Sequence, residues 1–144
     1  MHADADLTGL QAPQRAARKL VREALVGVDN DGWVDDIVLV ADELVGNAQQ
    51  YAAAQGPIEI TVDRYLWGIA VQVRDSHLPA SAIPLRPKQP GQESLRGRGL
   101  FLVDALASAW GVQLVGSRKI VTAIFIHRRP KDGNEHPPSP PCRA

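Results

Sequence analysis

The sequence predicts an α+β two-layer sandwich, a mixed or antiparallel sheet with helices on one face. Three observations carry that expectation. Three segments place apolar residues at spacings of three and four, and four short segments alternate or are β-branched. The segments also run in the order helix, helix, strand, strand, loop, helix, strand, strand, which suits a sheet covered by helices.

Residues 13–26 put Ala16, Leu20, Val21 and Leu25 at helical spacing, with Arg15, Arg18, Lys19 and Arg22 around them. An amphipathic helix is expected there. Gly27 to Gly32 is turn material. A second helix is expected from about Trp33 to Ala53, along the stripe Trp33, Ile37, Val40, Ala41, Leu44, Ala48 and Tyr51. Gln55–Gly56–Pro57 breaks it. Ile58 to Val62 and Ile69 to Val73 are β-branched runs, and the short link around Arg64–Gly68 makes them an antiparallel hairpin. From Ser76 to Arg98 the chain carries Pro79, Pro84, Pro87 and Pro90 and little periodicity. So long a loop inside a compact domain is uncommon, and a functional lid is expected over about 76–97. A third helix, Leu100 to Ala109, precedes strands at Gly111–Val115 and Ile120–Ile126.

A chain of 144 residues fits one domain. The expected organisation is a flexible N-terminus over 1–10, a folded domain over 11–129 and a disordered, Pro-rich tail over 130–144. Lys+Arg and Asp+Glu both number 16, so charge offers no reason to expect nucleic acid or an anionic membrane as partner. Cys142 is the only cysteine, which excludes an internal disulfide and a multi-cysteine metal site. His2, His77, His127 and His136 are scattered, so a metal hydrolase is not expected. No run approaches the roughly 20 apolar residues of a membrane span, and the N-terminus does not read as a signal peptide. A cytoplasmic protein is expected.

Three constellations carry chemistry. Glu43 and Asn47 stand four apart on the second helix, so they project from one face about a turn apart. A carboxylate there can take a proton from a hydroxyl or water, and an amide oxygen can hold Mg²⁺, which prefers hard oxygen ligands. The plain alternative is that Asp36, Glu43, Asn47 and Gln50 are the wet face of an ordinary helix. Arg96–Gly97–Arg98–Gly99–Leu100 stands where a loop turns into a helix. Glycines admit close backbone approach, and N–H groups at a helix start favour anions, with the arginines adding charge. A flexible linker before a helix explains the same residues. Asp75 ends the second strand, where it can accept a hydrogen bond from an amino group or simply serve as a turn residue.

Together these segments resemble the motif series of the GHKL ATPase superfamily, and within it the anti-sigma-factor serine kinases of actinobacterial type. Val40–Ala41–Asp42–Glu43–Leu44–Val45–Gly46–Asn47–Ala48 resembles the N box. Val73–Arg74–Asp75 followed by Pro79 resembles the adenine-binding G1 box, and Gly97 to Leu106 the G2 box with its helix. Trp110–Gly111–Val112 and Lys119–Ile120–Val121 are similar to the closing strand pair. The resemblance covers about residues 12–127. It implies Glu43 as general base, Asn47 as Mg²⁺ ligand and Asp75 as holder of the adenine amino group. Arg96, Gly97, Arg98, Gly99 and Leu100 would cradle the phosphates of ATP. The reaction implied is phosphoryl transfer to a serine of a STAS-type anti-sigma antagonist, with a sigma factor sequestered on the same domain and a homodimer as the usual assembly. A domain of this fold that regulates a sigma factor or STAS protein without catalysis is the alternative. Three features depart from the family pattern. His77 stands where the G1 box has glycine, and Tyr51–Ala52 stands where the N box often ends His-Ala. The strand that usually precedes the first helix is short or missing.

Overall fold

The computed structural model describes residues 1–29, 31–51, 57–76 and 95–127, with the backbone alone at 31, 50, 51 and 95–99. The lid expected over about 76–97, apart from Ser76 and residues 95–97, lies outside the described residues, as do His77 and the tail expected over 130–144. Five strands and three helices alternate as β1 (His2–Asp6), α1 (Pro13–Ala24), α2 (Asp31–Tyr51), β2 (Ile58–Tyr65), β3 (Gly68–Ser76), α3 (Leu95–Leu106), β4 (Ala109–Val115) and β5 (Arg118–Ile126). The strands form one sheet in the order β1-β2-β3-β5-β4, and every neighbouring pair is antiparallel.

Strand parity shows which face the helices cover. Ile60 and Val62 of β2, Ile69, Val71 and Val73 of β3, and Val121, Ala123 and Phe125 of β5 share one face by register. All belong to one core with Ala17 and Val21 of α1 and Ile37, Val40, Ala41, Leu44 and Ala48 of α2. The helices therefore form a layer on that single face, as the alternation requires. The opposite parity carries polar pairs: Arg118 lies 3.2 Å from the Glu59 carboxylate, and Arg74 donates to the Thr61 hydroxyl at 2.7 Å.

The N-terminus corrects the expectation of a flexible segment over 1–10. His2–Asp6 pairs along β2 from Asp63 to Glu59, and the Leu7 amide donates to the Ile58 carbonyl at 2.8 Å. Ala3 and Ala5 pack against the core, and Leu7 is buried within it. Alanine and aspartate are poor strand formers, so the local signal is weak, but pairing with β2 overrides it. The outward residues add a clasp, because the His2 ring binds the carboxylates of Asp63 and Asp4. The bond to Asp63, more than that to Asp4, raises the His2 pKa. The third helix also differs from expectation. It begins at Leu95, five residues early, and Ala109–Trp110 belongs to β4, where Trp110 donates to Asp104 across the turn at 3.0 Å.

Candidate active site

The direction of each helix decides which residues meet. An open cleft of about 800 Å³ is lined by Trp33, Asp36, Arg64, Leu106, Ile126 and His127, among others. The start of α2, the end of α3 and the Arg64/Ile126 end of the sheet therefore lie together. The Trp33 and His127 rings, with centroids 4.6 Å apart, mark the same corner. From Trp33, α2 climbs about 21 Å to Asn47 at the helical rise. Along β3, Gly68 to Asp75 covers about 23 Å at the strand rise. α3 descends toward the cleft, so its first turn starts about 17 Å away from it. Glu43, Asn47, Asp75 and the Arg96–Leu100 backbone consequently share the end of the molecule opposite the cleft. The cleft holds none of the candidate site residues Glu43, Asn47, Asp75 and Arg96 to Leu100, although Ala105 and Leu106 at the end of the G2-box helix line it.

On α2, Ala41, Leu44, Val45 and Ala48 are buried, while Asp42, Glu43, Gly46 and Asn47 are half-buried along the border of the apolar stripe. Burial pushes the Glu43 carboxyl above the ordinary glutamate value, and the adjacent Asp42 charge adds to the rise. The Asn47 amide nitrogen is buried with no hydrogen-bond partner among the described residues. Leaving such a group unsatisfied costs about 1–3 kcal/mol. Because amide nitrogen and oxygen exchange by a flip of the side chain, the same group can present its oxygen. An unsatisfied amide one turn from a proton-accepting carboxylate fits Mg²⁺ and a phosphate-bearing ligand.

Asp42 and Gly46 face α1 instead. The Gln14 amide donates to the Asp42 carbonyl at 3.2 Å and its carboxylate at 3.4 Å, and the Arg18 guanidinium binds the same carboxylate. A Cβ on Gly46 would stand 3.0 Å from the Gln14 amide nitrogen, so the missing side chain leaves room for that contact. Asp42 thus ties α1 to the segment of α2 that carries Glu43 and Asn47.

Asp75 is wholly buried on the helix-facing side of β3, in register with Lys119 of β5. The Lys119 ammonium lies 3.2 Å from the Asp75 carboxylate, and both side chains are at most 2% exposed. Residues 96–99 stand in the first turn of α3 rather than in a loop before it. Leu100 is buried, and Val103 one turn on joins the core. Sequence reading missed the partners of these residues. Lys119 had one legible signal, its period-two spacing with Val121, Ala123 and Phe125, which puts a lysine on the core face.

The family model of the histidine kinase-like ATPase domain matches residues 5–125. Among solved structures, the chain is similar to the RsbU and RsbW domains of Rv1364c from Mycobacterium tuberculosis, with 19% identity and a TM-score of 0.63 over 90% of this chain. It spans about a third of that protein, 33% of its length. It is similar to the SiaB–SiaC complex from Pseudomonas aeruginosa at 14% identity and a TM-score of 0.58, covering 85% of this chain and 89% of that one. A histidine kinase domain from Erythrobacter litoralis aligns at 19% identity and a TM-score of 0.50, over 78% of this chain and 63% of that one. No curated protein matches.

Proposed function

The chain belongs to the histidine kinase-like ATPase family, and from that premise we propose that it is a Mg-ATP-dependent protein-serine kinase of the anti-sigma-factor type. Its phosphoryl acceptor is a serine of a STAS-type antagonist, and a sigma factor is the partner it sequesters. It works in the cytoplasm, and its assembled form is a homodimer. The fold likeness to the RsbW-containing structure and to the SiaB–SiaC complex supports the reading.

One observation carries it. Glu43, with its raised proton affinity, stands one turn from the unsatisfied Asn47 amide, at the end of the molecule where Asp75 and the first turn of α3 also lie. Bound Mg-ATP supplies the γ-phosphoryl group and much of the charge neutralisation that its transfer needs. The chain's residues orient and stabilise. Glu43 accepts the proton of the attacking serine hydroxyl, and its environment brings its pKa closer to neutral, where a base works best. Asn47 holds the cation through its amide oxygen. The N–H groups of the first turn of α3, with Arg96 and Arg98, oppose phosphate charge. Asp75 accepts a hydrogen bond from the adenine amino group.

Calorimetric titration with a non-hydrolysable ATP analogue tests the reading. Saturable binding that strengthens with Mg²⁺ and weakens in Asn47→Ala is expected. Phosphoryl transfer to a STAS partner should disappear in Glu43→Gln while nucleotide binding persists. The second reading, regulation by contact without turnover, is favoured by His77 in place of the G1-box glycine. Absence of binding at millimolar nucleotide, with partner capture intact, would decide for it.

A further inference from the structure

β1 is an acidic strand laid along an acidic stretch of β2. On the face away from the helices it carries His2, Asp4 and Asp6, which in register meet Asp63, Thr61 and Glu59. Like charges set across from one another weaken a strand pair. At the Asp6 end both carboxylates are relieved, since Glu59 lies 3.2 Å from Arg118 and Asp6 accepts the Thr8 amide at 2.9 Å. At the other end the His2 ring stands between two carboxylates, with Nδ1 against Asp63 and Nε2 3.2 Å from Asp4. β3 places Ala70 and Gln72 across from Asp63 and Thr61. Its one charged residue on this face, Arg74, donates to the Thr61 hydroxyl. Arg64 donates to the Val26 carbonyl, and the Met1 amine donates to the Arg64 carbonyl. The helices lie on the opposite face, where Ala3 and Ala5 pack against the core.

We propose that the His2 imidazolium is a pH-released clasp, holding residues 2–6 on the sheet while protonated and letting them part from β2 as it loses its proton. An imidazole donates from both ring nitrogens only in its charged form, because the neutral ring has one N–H and one lone pair. Carboxylates at both nitrogens therefore match the charged ring. Once the proton leaves, one nitrogen turns a lone pair toward a carboxylate, and Asp4 and Asp63 face a ring without charge. Little in the strand itself offsets that loss, since alanine and aspartate are poor strand formers and β1 is an edge with β2 as its single neighbour. The sign is definite. The contact with Asp63, and then that with Asp4, holds the His2 pKa above its ordinary 6.5. Attachment is thus complete below that ordinary value and is lost as pH rises through the raised one. Release stops at Leu7, which is buried and whose amide donates to the Ile58 carbonyl at 2.8 Å. The Ile58 amide in turn donates to the Thr8 hydroxyl at 3.1 Å. Parting of residues 2–6 bares the β2 edge from Glu59 to Asp63, which β1 otherwise covers. The inference is independent of the nucleotide-binding reading.

Amide hydrogen exchange on the full chain tests it, read residue by residue as protection factors so that the intrinsic pH dependence of exchange is removed. From about pH 5.5 to about pH 8.5, protection of residues 3–6 should fall by about 2–5-fold, the scale of exposed charge pairs. Leu7 and the amides of β3 and β5 should hold theirs. His2→Lys keeps a positive charge across that range and should stay protected at both ends of it. His2→Gln, uncharged like the deprotonated ring, should show the lower protection at both. The His2 side chain is exposed, so neither substitution disturbs the core. Wild-type protection of residues 3–6 that does not change with pH overturns the proposal. A pH dependence that survives unchanged in His2→Gln, which retains the Met1 amine, assigns the effect to another group and overturns it too.

Discussion

At the scale of single residues, Glu43 shows how much its surroundings alter a common side chain. Its place on the helix follows from spacing, but its raised pKa comes from desolvation first and from the Asp42 charge second. A base must be ionised, so phosphoryl transfer should fall as pH drops through a midpoint above the ordinary glutamate value. A pH–rate profile checks this, and an acid limb at the ordinary value would remove Glu43 from the role. Stability follows the same linkage with a definite sign. A carboxyl whose folded pKa is raised contributes stability below its unfolded pKa, and loses it as pH rises through the folded value. Glu43→Gln should therefore be no less stable than the wild type at neutral pH, by thermal unfolding. Residue numbers and spacing marked Glu43, Asn47 and Asp75 as candidates. The Asp75–Lys119 and Asp42–Gln14 contacts were illegible because the residues of each pair lie 44 and 28 positions apart along the chain.

At the scale of elements, periodicity served well where the apolar contrast is strong. α2, β2 and β3 stand close to their expected positions, since β-branched runs and a long stripe specify both the element and its buried face. The failures have separate causes. β1 is built of alanine and aspartate, and its strand form depends on the partner strand. The start of α3 at Leu95 puts Gly97 and Gly99 inside the helix, against their intrinsic preference. The β2–β3 hairpin gives a sharp test of register. A Cβ on Gly68 would stand 1.9 Å from the Phe125 carbonyl oxygen, an atom of the β5 backbone that cannot move without disturbing the ladder. Gly68→Ala should therefore destabilise the protein by about 3 kcal/mol or more, a large loss for one methyl group. Chemical denaturation measures it, and a loss under about 1 kcal/mol would show that β3 and β5 separate more easily than their pairing implies.

At the scale of the whole molecule, the cleft and the candidate site residues lie at opposite ends. That cleft of about 800 Å³ opens at the Trp33 end, and the residues proposed to bind nucleotide lie at the other end. Backbone amide shifts should discriminate. A non-hydrolysable ATP analogue should move resonances around Glu43, Asn47, Asp75 and the first turn of α3, and leave Trp33, Arg64 and His127 in place. Shifts concentrated at Trp33 and His127 would transfer the site to the cleft. No helix among the described residues is long and apolar enough to cross a membrane. By itself, the amino-acid sequence determined the fold class, the order of the strong elements and the motif residues on them. Each of these is written in local periodicity, which the chain carries before it folds. Tertiary structure alone decided the strand order, the enrolment of residues 2–6 in the sheet, the Asp42 tie to α1 and the burial of Lys119 against Asp75. Each of those joins residues far apart in the chain, and only the closing of the sheet beneath the helices brings them within reach of a hydrogen bond.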